Sequence, residues 1–160
     1  MKFFYLMAVF HLSLCAHPHF FIDTEVRIEK ESIFHCWRFD ALNSKLLIFE
    51  FDADKNGILD AKEQQHFLKE HIEPLSPNHF NLFFQNGETE IASKPRDFNV
   101  SIANKRLIVT FTTEHLFNKP SIFCTIDGTL YMAYQLKSVQ SLYPHETQKS
   151  EYDFCLGVNP

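Results

Sequence analysis

Apolar and polar positions alternate strictly in several stretches of this chain, and the alternation outlines a mostly β protein. Phe20-Phe21-Ile22-Asp23-Thr24-Glu25-Val26-Arg27-Ile28 begins apolar and then alternates with the period of a strand. Glu29-Lys30-Glu31-Ser32 is a polar turn. The run from Ile33 to Phe39 alternates again, with Trp37 and Phe39 on one face, so the two runs form a hairpin. The period then changes. Asp40 offers an N-cap for a helix running to about Phe51, with Leu42, Leu46 and Phe49 on one stripe. A second helix starts near Asp60, and Pro74 and Pro77 end it. Beyond it the pattern returns to β. Phe80 to Gln85 and Glu88 to Ala92 flank Asn86-Gly87, a strong hairpin turn signal. Phe98 to Ile102 and Leu107 to Phe111 flank Ala103-Asn104-Lys105. Ile122 to Ile126 and Tyr131 to Leu136 flank Asp127-Gly128, and a last short strand covers Tyr152 to Leu156. The expected class is α+β: a mostly antiparallel β-sandwich with one inserted helix–loop–helix over residues 40–73.

Between the two helices lies the most specific chemistry in the chain, Asp52-Ala53-Asp54-Lys55-Asn56-Gly57-Ile58-Leu59-Asp60-Ala61-Lys62-Glu63. An EF-hand loop places oxygen ligands at positions 1, 3, 5, 9 and 12, a backbone carbonyl at 7 and glycine at 6. Those positions hold Asp52, Asp54, Asn56, Asp60, Glu63, Ile58 and Gly57. Ca²⁺ is a hard cation that prefers such oxygens, and a bidentate Glu63 closes the shell. Leu59 seals the back of the loop. Asp60 and Glu63 also form an Asp-x-x-Glu helix start, so they both cap and bind. The residue after Glu63, ordinarily apolar, is Gln64. The sequence holds no second loop of this kind, which points to a fixed structural Ca²⁺ site rather than a sensor that opens a groove.

The amino-terminal residues read as a secretory signal. Lys2 precedes an apolar core from Phe3 to Leu14, interrupted by His11, and cleavage is expected after Ala16. That core is too short to span a bilayer. A lipoprotein reading through Cys15 is disfavoured by the large Leu14 before it. The remainder, residues 17–160, suits a single periplasmic domain, with fifteen of the chain's eighteen phenylalanines to supply its core. A net charge of −5 argues against nucleic acid and against an anionic membrane surface.

Cleavage after Ala16 leaves Cys36, Cys124 and Cys155, an odd count that allows one disulfide and a free thiol, or no bridge. Cys124–Cys155 is the preferred pair in an oxidising compartment. Cleavage also exposes His17-Pro18-His19. Two histidines two apart face the same side of an extended segment, and imidazole suits Zn, Cu and Ni. Pro18 lacks an amide N–H, which excludes the peptide-nitrogen type of copper or nickel site. A chelate of the terminal amine with one or both imidazoles of His17 and His19 remains, with Asp23, His35 or another carboxylate as a further ligand. The alternative is an ordinary polar terminus. His66 and His71, five apart on a helix, read as solvated surface groups. His35 and Cys36 point to opposite faces of a strand and form no joint site.

Several of these segments together resemble one family. They are Ala16-His17-Pro18-His19-Phe20-Phe21-Ile22-Asp23, Trp37-Arg38-Phe39-Asp40, Phe51 to Gly57, Lys94-Pro95-Arg96-Asp97-Phe98, and the Asp127-bearing strand pair near Tyr131-Met132-Ala133-Tyr134. The chain resembles a periplasmic domain-of-unknown-function family described as a component of an uncharacterised transport system. Its members accompany nickel/cobalt-type permeases, and some are linked to zinc handling. The resemblance implies an inner-membrane divalent-metal permease as partner. It also implies roles for the acidic loop from Asp52 to Glu63, for His17 and His19, and for a carboxy-terminal cysteine at Cys155. The chain lacks the His-rich tract of many transition-metal chaperones, which weighs against high-capacity zinc storage.

Three functions follow as expectations. The first is a metal-binding accessory protein of a Zn/Ni/Co transport system with a structural Ca²⁺ site. The second is a Ca²⁺-stabilised interaction protein that docks on a membrane complex and handles no transition metal. The third, a copper redox protein, ranks behind both. The sequence holds no serine–histidine–acid spacing and no paired acids outside the loop, so no enzyme is expected.

Overall fold

The computed structural model describes residues 18–92 and 94–160. Residues 1–17, which include the expected signal segment and His17, lie outside them. Two five-stranded sheets hold about half of the described chain. The first contains β1 (Phe20–Ile28), β2 (Ser32–Phe39), β5 (Pro95–Ala103), β6 (Arg106–Glu114) and β8 (Met132–Ser141) in the order β5-β6-β2-β1-β8. The second contains β3 (Leu82–Asn86), β4 (Thr89–Ile91), β7 (Ser121–Thr125), β9 (His145–Lys149) and β10 (Phe154–Val158) in the order β4-β3-β7-β10-β9. Pairing is antiparallel except between β1 and β8, which run parallel. The helical part comprises α1 (Ala41–Phe51), α2 (Ala61–Phe67), a π-helical turn over Leu68–Ile72 and a 3-10 stretch over Glu73–Asn81. The class is therefore mostly β with few helices, in keeping with α+β.

Alternation sets which strand faces are buried. In β2, Ile33, His35, Trp37 and Phe39 are all enclosed while their neighbours are half-buried. One continuous apolar core takes in side chains of both sheets and of the helices. Aromatic contacts link its parts: His35 of the first sheet lies 5.3 Å from Phe123 of the second, and Trp37 packs against Phe111 and Tyr134. Cys124 and Cys155 sit directly opposite each other on β7 and β10 and are joined by a disulfide. Cys36 is a free, half-buried thiol. Burial and the nearby Glu25 carboxylate push its pKa up, against the opposing effect of Arg38.

Three sequence expectations are corrected here. Helix α1 does not bury Leu42, Leu46 and Phe49, which are 68%, 59% and 76% exposed. It docks through Ser44, Leu47 and Phe51. Ser44 decides the face: its hydroxyl donates to the Phe39 carbonyl (3.0 Å) and accepts from the Leu107 amide (3.0 Å), satisfying two buried backbone groups. Second, β7 and β8 do not pair across Asp127-Gly128, because they lie in different sheets. Asp127 instead fixes the crossover: one carboxylate oxygen accepts from the Thr129 amide and hydroxyl, the other from the Met132 amide. Third, the strand expected from Phe80 begins at Leu82, because His79, Phe80 and Asn81 take left-handed backbone angles.

Candidate metal centre

The acidic loop joins α1 to α2, and each of these helices is capped at its N-terminus by an aspartate. Asp40 caps α1 by accepting from the Leu42 and Asn43 amides. Burial alone would raise the Asp40 pKa, but hydrogen bonds from Asn43, Phe21 and Leu42 outweigh it and hold the carboxyl below its usual value. Asp60 caps α2 in a full capping box: its Oδ1 accepts from the Lys62 and Glu63 amides, and Glu63 Oε2 accepts from the Asp60 amide at 2.9 Å. The other Glu63 oxygen accepts from the Ala53 amide at 2.8 Å. One carboxylate thus clamps both ends of the loop.

Inside the loop, backbone amides turn inward onto carboxylates. Asp52, which is buried, accepts from the Asn56 and Gly57 amides at 3.1 and 2.9 Å. Asp54 Oδ1 accepts from the Asn56 amide, and Asn56 Oδ1 from the Ile58 amide. The turn needs positive φ at Gly57 (79°), where a side chain would be strained. Lys55 also sits at positive φ, 57°. As a result Asp52, Asp54 and Glu63 bring carboxylate oxygens within 4.8 Å of one another. Like charges so close repel by on the order of 1–4 kcal/mol per pair at a hydrated surface, which a bound cation would reverse. Carboxylate, amide and carbonyl oxygens are hard donors, so this group could hold a metal ion and its chemistry suits Ca²⁺ better than a soft ion.

Asn56, Ile58 and Asp60 stand around that trio. Asn56 turns its amide nitrogen to Asp54 at 2.7 Å, so a rotation of the side chain is needed to add its oxygen. The Ile58 side chain points to solvent, which leaves only its carbonyl as a donor. Asp60 spends one oxygen on the helix cap. Behind the loop Leu59 is buried. The Gln64 side chain donates to the Leu59 carbonyl (2.9 Å) and accepts from the Val100 amide of β5 (3.0 Å). Sequence reasoning marked Gln64 only as a departure from the apolar norm. Its role was not visible until β5 was placed beside α2.

The histidines divide differently. His19 is exposed at the start of β1; its amide donates to the Tyr131 carbonyl, its carbonyl accepts from Asn43, and its ring packs on Tyr131. The further ligands expected for the terminal pair are held elsewhere, although His35 Nδ1 has no hydrogen-bond partner. Asp23 pairs with Lys137 at 3.1 Å. His35 is enclosed between Phe111 and Phe123, bonded to Thr113 at 2.9 Å, and burial pushes its pKa down to about 3. His71 is not the solvated group expected. The π-helical turn shifts the register so that His66 and His71 both reach the Phe51 ring, at 5.0 and 5.3 Å, and His71 also packs on Phe67. Burial lowers the His71 pKa, with Glu50 and Glu70 opposing.

Among the described residues no helix is long and apolar enough to cross a membrane. Searches of curated proteins and of solved structures found no match. One family model, described as "Protein of unknown function (DUF1007)", matches residues 3–153, nearly the whole chain. The chain belongs to the DUF1007 family.

Proposed function

We propose that this is an exported, non-enzymatic metal-binding accessory protein of a divalent-metal transport system, built around an EF-hand-like Ca²⁺ site. The observation that carries the reading is the convergence of the Asp52, Asp54 and Glu63 carboxylates within 4.8 Å on a loop turned by Gly57. Asn56, the Ile58 carbonyl and Asp60 complete the ligand set. When bound, Ca²⁺ supplies a fixed positive charge that holds these oxygens together. The chain does the rest: Glu63 ties the two loop ends, and Gln64 ties the loop to β5. In this reading the protein works in the periplasm beside an inner-membrane permease, and His17 and His19 meet the transported Zn²⁺, Ni²⁺ or Co²⁺. The exposed position of His19 on an anchored backbone suits that role.

Native mass spectrometry of the chain beginning at His17, titrated separately with Ca²⁺, Zn²⁺, Ni²⁺ and Cu²⁺, tests both sites. One Ca²⁺ and one transition-metal ion are expected. The second should be lost in a His17→Ala/His19→Ala variant that still binds Ca²⁺. Unchanged transition-metal binding in that variant would remove the terminal site.

A second reading has its own support. The exposed Leu42, Leu46 and Phe49 stripe of α1 suits a Ca²⁺-stabilised protein that docks on a membrane complex without handling transition metal. Full complementation by the His17→Ala/His19→Ala variant in cells would favour it.

A further inference from the structure

Beside the acidic loop a groove of about 850 Å³ opens between α1 and the turn that joins β5 to β6. Ile48, Phe49 and Ile102 give it an apolar floor. Phe49 is 76% exposed, its helix neighbours Leu42 and Leu46 are 68% and 59% exposed, and Ile58 of the adjoining loop is 69% exposed. Large apolar side chains exposed together on one short helix contribute nothing to folding and mark a contact surface. The rim is cationic. Lys45, Lys55, Lys105 and Arg106 all line the groove. None of them takes part in the ion pairs among the described residues, which use Arg27, Arg38, Arg96 and Lys137. Lys55 stands over the Phe49 ring at 5.8 Å, so charge and apolar surface are presented together. The one carboxylate in the wall, Asp52, is turned onto the Asn56 and Gly57 amides.

We propose that this groove docks a segment of a partner protein that carries carboxylates and large apolar side chains. The charge contrast selects the occupant. A chain of net charge −5 has gathered four cations around one apolar groove, which attracts an acidic segment and repels the same groove of a second copy. The concave shape suits an inserted helix or strand better than a flat lipid surface. The proposal deepens the accessory-protein reading and rests on it for the existence of a partner. Because Asp52 and Gly57 belong to both groove and loop, Ca²⁺ in the loop lowers the local negative charge and strengthens docking.

The test uses fluorescence anisotropy with a short labelled amphipathic peptide of Glu, Leu and Phe, beside a counterpart in which every Glu is Lys. The acidic peptide is expected to bind the Ca²⁺-loaded protein. Lys45→Glu/Lys105→Glu and, separately, Phe49→Ser should each weaken it at least about tenfold. Both changes lie at exposed positions, and circular dichroism checks that the fold is kept. Amide shifts should be confined to α1 and the β5–β6 turn. The proposal is overturned if neither peptide binds, or if the charge reversal leaves affinity unchanged. It is also overturned if phosphatidylglycerol vesicles bind while the peptide does not, or if a dimer dissociated by Phe49→Ser occupies the groove. Ca²⁺ titration of the same samples separates the two levels: normal Ca²⁺ binding without peptide binding defeats the groove alone.

Discussion

The side-chain carbonyl of Gln64 accepts a hydrogen bond from the Val100 amide at 3.0 Å, and through it the acidic loop is fastened to the edge of a β-sheet. The same side chain donates to the Leu59 carbonyl. The loop leans on β5, and the polar residue after Glu63 makes that attachment. Gln64→Leu leaves the buried Val100 amide unpaired and should cost about 1–3 kcal/mol. Chemical denaturation measures the loss, and hydrogen exchange at Val100 should accelerate. An unchanged exchange rate would show that the bond carries no weight.

Ser44 is the second polar anchor of the helical part. It is fully buried and bridges the Phe39 carbonyl to the Leu107 amide. Ser44→Ala removes both bonds for a loss of one oxygen, so a destabilisation of about 1–3 kcal/mol is expected. Leu42→Ser, at an exposed position of the same helix, should stay within about 0.5 kcal/mol. Equal effects of the two changes would contradict the docking face assigned to α1.

The His35 side chain gives the fold an acid sensitivity of known sign. Burial lowers its folded pKa to about 3 from the ordinary imidazole value of 6.5. Its contribution is complete above pH 6.5 and is lost as pH falls from there toward 3. By pH 4.5 the loss from this group is on the order of 2–3 kcal/mol. His35→Gln should flatten stability against pH over that window, measured by urea denaturation at several pH values. An unchanged slope would assign the acid sensitivity elsewhere.

Reduction of Cys124–Cys155 opens a loop with a sequence separation of 31. Chain entropy places the cost at about 3–4 kcal/mol. A thiol reductant should lower the melting temperature of the wild type and leave that of a Cys124→Ala/Cys155→Ala variant unmoved. The variant itself should melt lower than the oxidised protein.

The β part was largely legible because its strands alternate and its turns carry Asn-Gly or Ala-Asn-Lys. β9 was not, since His145-Glu146-Thr147-Gln148-Lys149 is exposed throughout and has no apolar residue to alternate. The α1 face was misread because Leu42, Leu46, Leu47, Ile48, Phe49 and Phe51 put apolar groups nearly all round the helix. A serine, which periodicity ignores, then chose the buried side. Asp127-Gly128 looked like a hairpin turn, but the chain uses Asp127 to cross between sheets, a non-local choice. In the loop from Asp52 to Glu63 the carboxylate trio of Asp52, Asp54 and Glu63 was legible, since it lies within twelve consecutive residues, whereas the turn of the Asn56 amide nitrogen onto Asp54 was not. The cationic groove was not, because Lys45 and Lys105 meet only once α1 lies beside the β5–β6 turn.

Isothermal titration calorimetry of Ca²⁺ into metal-free protein tests the metal centre most directly. One Ca²⁺ per chain should bind to the wild type, with binding abolished or weakened at least about a hundredfold in Asp52→Asn and in Glu63→Gln. Saturation should raise stability by about 2–3 kcal/mol at a hundred times the dissociation constant. No heat of binding to the wild type, or binding that survives both substitutions unchanged, would contradict the assignment of Asp52, Asp54 and Glu63 as a Ca²⁺ site.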